Sequence, residues 1–161
     1  MENLTFGWDG PGPLDVEMTK PIAQVSIYTF GSVRMSPHSL TLWRPDGSGL
    51  RIYSEMREVA ERIEIGVLCF THVKSPSEDE ETLTIGPEFN QQNDAFKLLI
   101  HDEGVTAESG ILLRARNGNE IAVLVGSFPL TIAIKGVIQR PHIFQPEYPM
   151  ERLERLPIRV R

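Results

Sequence analysis

At 161 residues and 18.1 kDa the chain has the size of one domain, able to bury roughly two-thirds of its unfolded surface in a single core. Its 40% hydrophobic and 24% charged residues exclude wholesale disorder, and a net charge of -6 with a pI near 5.2 argues against nucleic acid and anionic membrane as partners. Cys69 is the only cysteine, so an intrachain disulfide framework is excluded, and with no leader-like start and no membrane-length apolar run the expected location is the cytoplasm.

Residues 1–21 contain Gly10-Pro11-Gly12-Pro13 and no apolar periodicity, and read as an irregular arm. From Ala23 the period changes to two: Ala23, Val25 and Ile27 alternate with Gln24, Ser26 and Tyr28, predicting a half-buried strand that ends at Gly31. Leu40 and Leu42, then Leu50 and Ile52, flank Arg44-Pro45-Asp46-Gly47-Ser48-Gly49 and predict a hairpin. Its second face carries Trp43, Arg51 and Tyr53.

Between Ser54 and Val73 two periods compete. Met56, Val59, Ala60 and Ile63 fit a helix, whereas Ile63, Ile65, Val67 and Cys69 fit a strand. The favoured division is a short helical or irregular segment over Glu55–Arg62, then a central strand Ile63–Val73, apolar on both faces through Leu68 and Phe70. One long bent strand is the competing reading. The polar loop Lys74-Ser75-Pro76-Ser77-Glu78-Asp79-Glu80-Glu81 should be solvated and mobile, because its four consecutive carboxylates repel. Leu83 and Ile85 predict a short strand, and Phe96–His101 another.

The register of the next hairpin can be argued from its residues. A two-residue turn at Asn117-Gly118 would set Leu113 against Ala122 and mismatch the apolar faces. A three-residue loop Arg116-Asn117-Gly118 with a left-handed glycine instead pairs Ala115 with Asn119, Leu113 with Ile121 and Ile111 with Val123. Leu130, Ile132 and Ile134 predict the following strand. In the proline-rich tail, 141–161, Pro149 is placed to start a helical turn or two carrying Met150 and Leu153 on one side. The sum is a single all-β domain, an antiparallel sandwich or partly open barrel of seven to eight strands with little helix. The alternative is an α+β fold with Ser54–Arg62 as a helix on an antiparallel sheet.

Chemistry-bearing patterns are sparse. There is no phosphate-binding glycine loop, Ser48, Ser109 and Ser127 lack a nucleophile-elbow setting, and Cys69 between Leu68 and Phe70 reads as a buried thiol. His72 and His101 end predicted strands, with Asp102 beside the second, so the three form a candidate metal cluster at one sheet edge. Glu58, Glu61 and Glu64 read as a solvated face balanced by Arg57 and Arg62. No cofactor is indicated.

Trp43, Arg51, Tyr53, Phe144 and Tyr148 form a candidate partner-binding set, because exposed aromatics beside arginine are common interface anchors. The segment His142–Pro149 is apolar and extended enough to strap across its own sheet or a neighbour's. The leading expectation is a non-catalytic interaction protein, self-associating as a homodimer or binding another protein. The rival is a small-ligand binder or metal-dependent enzyme with a His and carboxylate site in a barrel mouth.

Overall fold

A computed structural model describes residues 2–29, 37–59, 63–77, 79–136 and 144–159. In chain order the strands are β1 (Glu2–Leu4), β2 (Gly7–Trp8), β3 (Gln24–Tyr28), β4 (Ser39–Trp43), β5 (Gly49–Val59), β6 (Ile63–Val73), β7 (Glu81–Leu83), β8 (Asp94–Asp102), β9 (Val105–Arg114), β10 (Glu120–Val125), β11 (Ile132–Lys135) and β12 (Glu154–Ile158). One helix, α1 (Leu14–Thr19), and two single-turn 3-10 helices at Pro87–Phe89 and Met150–Arg152 complete the described elements.

Two six-stranded sheets form. One runs β2-β6-β5-β4-β3-β7, and the other β11-β10-β9-β8-β12 with β1 added alongside β9. All neighbours are antiparallel except β1 on β9 and β2 on β6, which are parallel. This is an all-β sandwich with little helix. Alternating residues supply its shared interior: Val25, Ile27, Leu40, Leu42, Leu50, Ile52, Leu68 and Phe70 from one sheet meet Ile111, Leu113, Ile121, Val123, Ile132 and Ile134 from the other. Residues of opposite parity, Leu112, Ala122, Leu124 and Ala133, form a second cluster with Val67 and Cys69, and Phe144, Tyr148 and Met150 of the tail pack on it.

Both predicted hairpins form, and the register argued for the second holds. Leu42 pairs with Leu50 and Leu40 with Ile52. Leu113 pairs with Ile121 and Ile111 with Val123, the Ala115 amide donates to the Asn119 carbonyl at 2.9 Å, and Gly118 sits at φ 91°. A side chain at that φ meets its own carbonyl, so Gly118→Ala should cost about 1–2 kcal/mol, seen as a lower urea midpoint at unchanged m-value.

Several expectations are corrected. Residues 55–59 are not helical: β5 continues to Val59, pairing Glu55 with Val67 and Arg57 with Ile65. Cross-strand pairing along all of β6 outweighs the helical spacing, so the helix of the α+β alternative does not form. The single long bent strand fails too, because β5 and β6 are two strands paired antiparallel with each other, the second spanning Ile63–Val73 as expected. Residues 60–62 and Gly31 lie outside the described residues. The arm is not irregular, since β1 and β2 borrow the edges of β9 and β6, and α1 buries Met18 completely. Twelve strands appear among the described residues rather than seven or eight.

Leu130 is not in a strand. It lies at φ 63° in a turn where the Thr131 hydroxyl donates to the Phe128 carbonyl at 2.7 Å. The tail forms its short helical turn after Pro149, as expected, but then adds β12 on β8, where Pro157 is tolerated because the other side of that strand is unpaired.

Candidate functional site

The ends of four elements meet around a cleft of about 570 Å³. Thr19 closes α1, Gln92, Asn93 and Asp94 lead into β8, Arg114 and Arg116 lie where β9 enters its turn, and Ile158 and Arg159 follow from β12. The β8–β9 register sets Asp94 beside Arg114, and the β12–β8 register sets Ile158 beside Ala95, so strand pairing fixes three of the four walls.

Asn93 is held from two sides. Its backbone amide donates to the Thr19 carbonyl at 2.9 Å, and its Nδ2 donates to the Phe89 carbonyl at 3.1 Å. Turning the amide over would set Oδ1 against that carbonyl oxygen, so its orientation is determined. Asn93 is only 3% exposed, yet its Oδ1 has no hydrogen-bond partner. A buried acceptor left this way costs about 1–3 kcal/mol.

The three arginines differ. Arg114 is committed: Nε and Nη2 donate to Glu120 Oε2 at 2.9 and 2.7 Å, and its guanidinium lies 4.8 Å from the Phe96 ring centroid. Arg116 and Arg159 are exposed and have no ion-pair partner among the described residues. The cleft therefore offers two free guanidinium groups and one carboxylate, and the residue in its wall that carries the fixed, unsatisfied amide oxygen is Asn93, where that oxygen is buried.

Comparison with known protein families, curated proteins and solved structures finds no match. The chemistry of the cleft must carry the functional argument alone.

The sequence-predicted residues go elsewhere. Trp43 lies on the face away from the shared core, as its alternation requires, but it is only 7% exposed, and its buried indole Nε1 is satisfied by donating to Ser26 Oγ at 2.9 Å. Arg51 is paired with Glu80 at 2.9 Å, and Glu80 also accepts from Thr41 Oγ1 at 3.3 Å and from the Ser77 amide. The acidic loop is thus pinned to the sheet through Glu80 rather than solvated throughout, and Ser77, Asp79 and Glu80 border a hollow of about 340 Å³ with Tyr28, Ser39 and Arg51. Glu78 lies outside the described residues.

Tyr53, Phe144 and Tyr148 are half-buried against the second apolar cluster, with Lys135 Nζ 5.9 Å from the Phe144 ring centroid. The tail straps across its own sheet, while His142 and Ile143 lie outside the described residues. Of the five candidate partner-binding residues, Trp43 is thus buried, Arg51 is paired with Glu80, and Tyr53, Phe144 and Tyr148 pack on one apolar cluster.

The metal cluster does not assemble, because its members belong to different sheets. His72 on β6 sits 3.9 Å from Glu17 and 5.2 Å from the Trp8 ring, whereas His101 on β8 contacts Thr106 Oγ1 at 2.9 Å and Glu154 at 3.6 Å. Asp102 accepts from Tyr148 Oη at 3.3 Å. No three His, Cys, Asp or Glu side chains among the described residues are arranged to hold a metal. Cys69 is buried, and desolvation followed by the nearby Glu55 carboxylate pushes its thiol pKa up, as expected of an inert core thiol.

Two polar groups outside the cleft escaped sequence reasoning. Arg44 is 6% exposed and donates from Nη1 to the Lys20 carbonyl at 3.3 Å and from Nη2 to the Glu17 carbonyl, closing the end of α1. Glu147 is half-buried where the sheets meet. A Cβ at Gly66 would fall 2.9 Å from its Oε2 and 2.3 Å from Val125, so this seam needs a glycine in β6. Desolvation raises the Glu147 pKa to about 7, with Asp102 adding to it and a hydrogen bond from the Gly66 amide opposing it. No helix among the described residues is long and apolar enough to cross a membrane.

Proposed function

We propose that the chain is a non-catalytic protein of the cytoplasm that binds a small anionic ligand in the cleft between α1, β8, the β9–β10 turn and the end of β12. The observation that carries this reading is the pair of uncommitted arginines, Arg116 and Arg159, beside the orphaned Asn93 Oδ1 in a chain of net charge -6. Isolated cations on an acidic protein ordinarily find carboxylates, as Arg114 does with Glu120. The cleft volume falls in the roughly 300–1,000 Å³ range of small-molecule sites.

Titration of the protein with sodium phosphate and with succinate, followed by amide chemical shifts, should give saturable shifts in residues 92–94 and 114–118. Arg116→Ala, an exposed turn substitution, should weaken the binding by about tenfold, the effect of losing one charge-assisted contact. Saturable shifts absent for both anions, or unaffected by Arg116→Ala, would rule the reading out.

A protein partner, including a second copy of the chain, is a second reading. It is favoured by Phe128 and Leu130, 55% and 57% exposed in one turn. Light scattering that finds only monomer, together with no partner interaction lost on Phe128→Ser, would remove it.

A further inference from the structure

We propose that the ligand of the cleft is the phosphate ester of a small hydroxylated molecule, such as a sugar phosphate or a nucleotide. This rests on the anion-binding reading above and narrows it. The argument starts from what each lining group lacks. Arg116 and Arg159 come from separate elements and are both free, so together they match a group carrying close to two negative charges. A phosphate monoester carries about -1.5 to -2 at neutral pH, whereas a single carboxylate carries one charge and would leave the second guanidinium unused.

Asn93 and Asp94 impose the opposite demand. Oδ1 of Asn93 is fixed in place as an acceptor by the bonds that hold its Nδ2 and backbone amide, and Asp94 is an acceptor when ionised. A carboxylate or sulfate has no hydrogen to offer Oδ1, inorganic phosphate has only the hydroxyl on its own charged head, and all of them are repelled by Asp94. An amine would supply the hydrogen but adds a positive charge beside two arginines. Neutral hydroxyls satisfy both acceptors without that penalty, and the cleft has room for a hydroxylated body as well as its phosphate.

The test is calorimetric titration with glucose 6-phosphate, ribose 5-phosphate and adenosine monophosphate, set against sodium phosphate and glucose. At least one ester should bind about tenfold or more tightly than inorganic phosphate, the increment of one or two satisfied hydrogen bonds, and glucose alone should not bind. Asp94→Ala, at an exposed position, should reduce the preference for the ester, leaving the part due to Asn93, and strengthen inorganic phosphate by removing a like charge.

If every ester binds no better than inorganic phosphate, this inference falls while anion binding stands. If neither esters nor phosphate bind, this inference falls, and anion binding falls with it when succinate also fails. Unchanged ester preference in Asp94→Ala would also overturn the role given to the acceptor side of the cleft.

Discussion

Arg44→Met should lower the unfolding free energy by about 3 kcal/mol, read as a fall in urea midpoint with little change in m-value, because each hydrogen bond to a charged donor contributes about 1.5–3 kcal/mol. The reason lies in α1, whose six residues include no basic side chain in the last turn. Its terminal carbonyls are satisfied from outside: Thr19 by the Asn93 amide, and Glu17 and Lys20 by the Arg44 guanidinium reaching over from the β4–β5 loop.

Burial opposes this arrangement, lowering the Arg44 pKa to about 10 against the favourable fields of Glu17 and Asp46. Methionine fills the space of the stem but leaves two carbonyls unpaired. A loss below about 1 kcal/mol would show that water replaces the guanidinium and that the cap is dispensable. Because Thr19 also lines the cleft, the same variant should weaken anion binding without touching a cleft arginine.

Glu147→Gln should make the protein more stable at pH 8 than the parent, with the difference vanishing near pH 4.5. The sign follows from the raised pKa, about 7 against an ordinary 4.5. The folded state holds this proton more tightly than the unfolded state does, so stability is fully present below about 4.5 and declines as pH rises through about 7. With the carboxyl partly open to solvent, the penalty at pH 8 is about 2 kcal/mol rather than the full value of the shift.

Glutamine keeps an acceptor for the Gly66 amide and carries no charge toward Asp102. The groups facing this position are Asp102 and Tyr148, with Arg152 3.9 Å from Asp102 and its guanidinium 5.2 Å from the Tyr148 ring centroid. Urea denaturation at both pH values decides the matter. Equal stability of the two proteins at pH 8 would mean that water screens the carboxylate fully.

How legible these features are from sequence depends on where their partners come from. The β4–β5 and β9–β10 hairpins are local: period-two alternation and one left-handed glycine suffice to place Leu113 opposite Ile121. In β1, β2 and β12 the ladder is supplied by a distant strand, and two to five residues are too few to show a period. Residues 55–59 carry a helical spacing that only the pairing with β6 overrides.

The cleft was illegible for the same reason. Arg116 reads as turn material and Asn93 as part of a polar connector until β12 and α1 bring their ends beside them. Trp43 shows the converse failure. Its face was legible from alternation, but the hydroxyl that satisfies its buried indole comes from Ser26 on the neighbouring strand.

The segment carrying β1 and β2 stitches the two sheets together at one seam. The Phe6 amide donates to Glu108, 102 residues away along the chain, and the Thr5 carbonyl accepts from Arg57, 52 residues away. Closing such loops costs little in final stability, since the entropy grows only logarithmically with length, but contacts this remote slow the search for the native arrangement. Until they form, the free side of β6 and the 105–107 stretch of β9 are open edges, each able to accept a strand from another chain. The stitch at residues 2–8 thus acts during folding as a guard against misassembly, and crowding the chain before that stitch is made is the condition under which it should aggregate.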